Sequence, residues 1–171
     1  VLNHLMQGAP VLQAPRRLER SQEKDDGMLK SQRLILTWLT EYPELFSTVS
    51  AYIRPEDFTD ELYREVASML YEQLGRNELN PARIMNHFTE PEQQRTVAQI
   101  FNTEVPVSTV QEQEKAIADT IRRVMKNAVE QQSVRLDPTD LQGLQALISA
   151  KKRLESLSNL HISLQQGQNK K

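Results

Sequence analysis

Hydrophobic positions recur with a helical period over most of this chain. Ile35, Trp38, Leu39 and Tyr42 fall at i, i+3, i+4 and i+7, and Leu34 and Leu36 widen that face. A helix apolar over so much of its circumference sits centrally in a bundle. Pro43 ends it and opens the next turn, where a missing N–H costs nothing. Leu45, Phe46 and Val49 then supply a short buried face. Arg54-Pro-Glu-Asp-Phe58 reads as a turn, with Phe58 plugging the core and Thr59 capping a third helix. Leu62, Val66, Met69, Leu70 and Leu74 line one side of that helix, and Gly75 stops it. Asn80-Pro81 pairs an N-cap with Pro at the first helical position, starting a short helix with Ile84, Met85 and Phe88 inside. Thr89-Glu-Pro-Glu92 starts another, carrying Val97, Ile100 and Phe101.

Pro106 breaks the pattern, and Ser108 caps a long helix, 108–136, with Val110, Ile117, Ile121, Val124, Met125 and Ala128 inward. Whether that helix bends near Asn127 is left open. Asp137-Pro-Thr-Asp140 is a sharp helix–helix junction, and the last helix is expected to run to about Leu164. It carries two apolar stripes. Leu147, Ala150, Leu154, Leu157, His161 and Leu164 alternate three and four apart as a heptad-like seam. Leu141, Leu144 and Ile148 begin a neighbouring stripe, with Leu160 beside the seam. One stripe packs on the preceding helix as an antiparallel hairpin. A two-helix hairpin is marginal alone, so the surplus leucines call for docking on the bundle or on a partner.

The expected fold is therefore all-α: a bundle of about six helices, 27–125, followed by a C-terminal helical hairpin, 126–164, that shares the long helix. Nothing alternates with period two over a useful length, so no strand is expected. Residues 1–26, with Pro10, Pro15 and a polar run through Asp26, read as a largely disordered interdomain linker. Within it a short helix near Val1–Gln7 could end a preceding domain. Residues 165–171 read as a polar tail.

Composition narrows the chemistry. The 171 residues carry a net charge of −2, so the whole-chain field attracts neither nucleic acid nor anionic lipid. The absence of cysteine removes disulfides, thiolate catalysis and most structural zinc sites. No apolar run approaches the ~20 residues that span a bilayer, and no signal peptide is visible, so a cytoplasmic protein is expected. The opening Val1 leads us to expect a piece of a longer chain. The histidines, His4, His87 and His161, stand far apart. His87 and Glu90 have a spacing a metal could use, yet Pro91 follows and no second His or Cys is near, so a helix-end histidine is the plainer reading. No Gly-rich phosphate loop, nucleophile elbow or Asp-rich metal motif occurs. Glu112, Glu114, Asp119 and Glu130 alternate with Lys115, Arg122, Arg123 and Lys126, as on a solvated helix face. Hence no catalytic, cofactor-binding or metal residues are expected. Two basic clusters, Arg16-Arg17 with Arg20 and Lys151-Lys152-Arg153, lack interleaved aromatics, so contact with single-stranded DNA would be weak and salt-sensitive.

From about Met28 to Leu164 the order of these pieces resembles the C-terminal helicase-interaction domain of bacterial DNA primases. The residues that carry the resemblance are Gln32-Arg-Leu-Ile-Leu36, Arg54-Pro-Glu-Asp-Phe58, Asn80-Pro-Ala-Arg-Ile84 with Asn86-His-Phe88, and Asp137-Pro-Thr-Asp-Leu141. The ending Leu160-His-Ile-Ser-Leu164 is similar to primases of clostridia-like bacteria. The resemblance implies a non-catalytic domain whose hairpin anchors primase to the N-terminal collar of the hexameric replicative helicase, and whose bundle modulates that helicase. The zinc and magnesium sites of the parent polymerase would lie upstream. On this reading Leu144, Ile148, Leu154, Leu157 and Leu160 are the apolar anchors, with Lys151, Lys152 and Arg153 as rim charges. Two alternatives stay beside it: the helicase's own N-terminal domain, similar in fold, and a helical module binding single-stranded nucleic acid. A hairpin-swapped homodimer of the isolated domain is also left open.

Overall fold

The computed structural model describes residues 26–103 and 109–164. The linker with its arginine cluster and His4, the break at Pro106, the cap expected at Ser108 and the tail from 165 lie outside the described residues. Helix α1 covers 26–41, and its Ile35, Leu36, Trp38 and Leu39 are all buried. A 3-10 turn, Pro43–Leu45, leads into α2, Phe46–Tyr52. A second 3-10 turn, Pro55–Asp57, drops Phe58 into the core at 1% exposure. Then come α3, Glu61–Gly75, α4, Pro81–His87, and α5, Pro91–Asn102. The long α6, Val110–Arg135, is followed by α7, Leu141–Ser156. Among the described residues there is no strand, and the molecule is the all-α bundle with a closing hairpin that the periodicity predicts.

Local choices differ from expectation by a residue or so, each for a definable reason. The cap of α3 is Asp60, whose carboxylate accepts the Tyr63 N–H at 3.1 Å, and not Thr59. Thr59 is occupied elsewhere: its N–H donates to Gln32 Oε1 (3.2 Å) and its hydroxyl accepts from Gln32 Nε2 (3.0 Å). The fully buried Gln32 is thus satisfied on both ends, and it ties α1 to the turn before α3. The inner face of α3 is Tyr63, Val66, Ala67, Leu70 and Leu74, leaving Leu62 and Met69 half-buried. Gly75 is the last helical residue, and the left-handed position that ends the helix belongs to Asn77 (φ 56°). The described cap of α6 is Thr109, which accepts the Glu112 N–H at 3.1 Å. α6 runs unbroken through Asn127 and buries Ile117, Ile121, Val124, Met125 and Val129.

Asp140 caps α7 by accepting the Gly143 N–H at 3.0 Å. A Cβ at Gly143 would stand 2.7 Å from Asp140 Oδ2 and 3.1 Å from Leu136 Cδ1, so a side chain there would push the capping carboxylate and the Leu136 side chain aside. The other end of α7 departs further from expectation. The helix stops at Ser156, tightens into the 3-10 turn Leu157–Asn159, and continues extended to Leu164. Arg122 on α6 is the physical cause we identify. Its Nε donates to the Leu157 carbonyl (3.1 Å) and its Nη2 to the Leu160 carbonyl (3.5 Å), meeting carbonyls that another helical turn would have used. Asp119 holds that guanidinium from the opposite side at 3.0 Å. The extended end then lays Ile162 and Leu164 on the core, and the Leu164 N–H donates to the Glu114 carboxylate (3.3 Å). Leu147, Ala150, Leu157, Ile162 and Leu164 belong to the same core as the bundle residues.

Candidate functional site

Helix α7 presents three sides, which follow from a rotation of about 100° per residue. The inward side holds Leu147 and Ala150, buried, and Leu154, half-buried, against α6. A second side, about 120° round the helix, holds Leu141, Leu144 and Ile148, which are 73%, 40% and 47% exposed. Val134, near the end of α6, is 82% exposed. Among the described residues these four are the large hydrophobic side chains left open to solvent, and all of them lie on one hairpin. Lys151 and Lys152 continue the outward side beyond Ile148 and are exposed.

The expected anchors are therefore not equivalent. Leu144 and Ile148 face solvent, whereas Leu154 and Leu160 are half-buried. Leu157 is 1% exposed, packed in the core, because the 3-10 turn swings it under the end of α7. Its apolar surface is already covered within the domain. Leu141 and Val134 join the exposed group. Leu141 was legible as part of the second, neighbouring stripe. Val134 carries only a faint signal, being an apolar residue about 140° around α6 from the buried Val129.

The third side of α7, with Ala146, Ser149 and Arg153, borders a groove of about 590 Å³. Its other walls are the Arg54–Thr59 segment and the end of α6 with the junction after it. Four arginines (Arg54, Arg64, Arg135, Arg153) and four carboxylates (Glu56, Asp57, Asp137, Asp140) line it. Arg64 is spent on structure, with Nε and Nη2 both donating to the Phe58 carbonyl (3.2 and 3.1 Å). Asp57 Oδ2 accepts the Arg54 N–H at 2.8 Å. Burial pushes the Asp57 carboxyl above its ordinary value, while that hydrogen bond and the Arg153 charge pull the other way. Asp137 accepts both the N–H and the hydroxyl of Thr139 (3.0 and 2.8 Å), which hold its carboxyl below the ordinary value.

The remaining candidates resolve as structure. His87 lies 2.9 Å from Glu65 across α4 and α3, rather than beside Glu90. Glu114, Asp119 and Arg122 on α6, read from sequence as a solvated face, hold the C-terminal segment in place. Among the described residues no cluster of three or more His, Asp or Glu side chains is placed to hold a metal ion. No helix in them is long and apolar enough to cross a membrane.

A family model described as DNA primase DnaG DnaB-binding matches residues 32–157. No curated protein and no solved structure matches the chain. The matched span begins at Gln32 in α1 and closes at Leu157, so it takes in the exposed hairpin face and the groove beside it. The match falls on the primase partner of the pair, which sets aside the helicase's own N-terminal domain. This chain belongs to the DnaB-binding family of DNA primase DnaG, a non-catalytic domain that binds the DnaB helicase.

Proposed function

We propose that the domain docks on the N-terminal collar of the hexameric helicase through the outward side of α7, joined by Val134. Binding there would bring the primer synthesis of a parent primase to the replication fork in the cytoplasm, and the bundle would modulate the helicase. Zinc and magnesium chemistry would belong to other domains of that parent. What supports the docking surface is a single observation: the exposed large apolar side chains of the described residues are confined to one hairpin. Leu144 and Ile148 are the central anchors, Leu141 and Val134 extend them, and Leu154 and Leu160 flank them. Lys151 and Lys152 form the charged rim, with Arg153 beside them on the side of the groove. Leu157 supports the surface from beneath. Burying one such leucine or isoleucine contributes about 1.5–3 kcal/mol, enough for a few residues to dominate an interface.

The test is Leu144→Glu and Ile148→Glu, made separately and titrated against the cognate helicase. Each is expected to weaken binding by roughly thirtyfold or more, as for a central interface anchor. Folding stability should move by no more than about 0.5 kcal/mol, because both positions are solvent-facing. Undiminished affinity in both variants would sink the assignment of this face.

A further inference from the structure

The groove beside the apolar face brings together three guanidinium groups from three separate elements. Arg54 comes from the turn, Arg135 from the last turn of α6 and Arg153 from α7. Among the described residues the ion pairs fall elsewhere, on Arg76, His87 and Arg122. Arg153 Nε is shut off from solvent and has no hydrogen-bond partner. A buried donor left unmet in this way is costly, and among the described residues the rest of the Arg153 guanidinium has no partner in the fold either. The groove's own carboxylates do not supply one. Asp57 accepts from the Arg54 backbone, Asp137 from Thr139, and Asp140 from the Gly143 backbone. Three of the four hold a turn or a helix start with one oxygen each, and among the described residues none of the four forms an ion pair with Arg54, Arg135 or Arg153.

The charge arrangement limits what can enter. Four arginines face four carboxylates, so the groove is balanced overall. A phosphodiester backbone would meet those carboxylates along its length and be repelled. A lone carboxylate can instead sit on the planar fork of an arginine, held by geometry rather than by a long-range field. We propose that this groove receives one acidic side chain of the bound helicase, paired to Arg153 with Arg54 and Arg135 beside it. The proposal rests on the helicase-docking assignment of α7, because the groove flanks the same helix.

The test uses the full chain and the cognate helicase, with Arg153→Gln, Arg153→Lys and Leu144→Glu compared in parallel. Arg153→Gln is expected to weaken helicase binding by roughly tenfold or more, mainly through faster dissociation. Arg153→Lys should fail to restore it, since an ammonium group cannot offer the bidentate fork. The thermal midpoint should stay level in Arg153→Lys, which keeps the charge beside Asp57, and fall only slightly in Arg153→Gln, which loses it. Wild-type affinity for Arg153→Gln overturns the proposal, and so does full recovery with lysine, which would reduce the site to a rim charge. It is equally overturned if Arg153→Gln leaves helicase binding intact but weakens binding of a single-stranded oligonucleotide at ~150 mM salt. The two assignments fail separately. Loss with Leu144→Glu and none with Arg153→Gln removes the groove alone, while loss with Arg153→Gln and undiminished binding in both Leu144→Glu and Ile148→Glu removes the apolar face and keeps the groove.

Discussion

Asp57 carries a carboxylate whose charge the fold accommodates poorly. Burial raises its carboxyl above the ordinary 3.8, and the Arg54 hydrogen bond and the Arg153 charge offset this only in part. The sign follows directly. A raised folded pKa means the native state holds the proton more tightly than the unfolded chain. Stability from this group is then fully present below 3.8 and is lost as pH rises through the folded value. Asp57→Asn keeps an oxygen to accept the Arg54 N–H and removes the buried charge. It should raise stability at pH 7, with the gain shrinking to nothing once pH falls below the unfolded value. Urea unfolding at several pH values checks this, with the buried Trp38 as the optical reporter. A variant less stable than wild type at pH 7 would contradict the account. Residue-level reading from sequence is reliable for residue type and loose by one position. Thr59 and Asp60 both carry a side-chain oxygen that could cap α3. Only the backbone decides which of them stands where the helix begins, and Asp60, still extended at ψ 133°, takes that place.

At the scale of elements, helix ends are where local and tertiary forces compete. α3 ends on local forces alone. Asn77 takes the left-handed conformation, its N–H donates to the Leu74 carbonyl (3.2 Å), and the Glu78 N–H donates to the Gln73 carbonyl (2.9 Å). This is the paired closure of a Schellman motif, with asparagine where glycine is commonest. Asn77→Gly is expected to be neutral or slightly stabilising, whereas Asn77→Val should cost about 1–2 kcal/mol by forcing a β-branched residue into positive φ. Equal denaturation midpoints for the valine and glycine variants would remove that explanation. α7 ends on tertiary forces. Its apolar period continues through Leu164, so the sequence extends the helix, yet Arg122 takes the carbonyls at Leu157 and Leu160. An arginine so far back in the chain gives no local stop signal.

In the molecule as a whole, hairpin and bundle share one core. Leu157 sits in that core at 1% exposure while Leu144, on the same hairpin, is 40% exposed. The two leucines should therefore behave oppositely. Leu157→Ala is expected to cost about 2–5 kcal/mol of folding stability through lost burial and a cavity. Under conditions where it stays folded, it should hold helicase affinity within a few fold. Leu144→Glu should do the reverse. Measuring both quantities on both variants separates support from contact, and a stability loss below about 1 kcal/mol for Leu157→Ala would show that the core does not extend there. The shared core also makes point substitution the cleaner experiment. Deleting the chain from Asp137 would strip from α6 the cover that α7 gives it, along with the binding face.

The sequence by itself determined the helical class, the sides of α1 and α6 that face inward, the proline- and asparagine-marked starts, and enough of the 32–157 pattern to identify the family. Those properties are encoded in spacing between near neighbours, which the chain carries wherever it folds. Only the tertiary structure decided which stripe of α7 is buried. Periodicity gives the angle between two stripes on a helix but not the direction in which either points, because direction depends on what packs alongside. Packing on α6 took Leu147, Ala150 and Leu157 inward and left Leu141, Leu144 and Ile148 outside. The groove at Arg153 was likewise beyond sequence, since its walls come from segments about a hundred residues apart that only folding brings together.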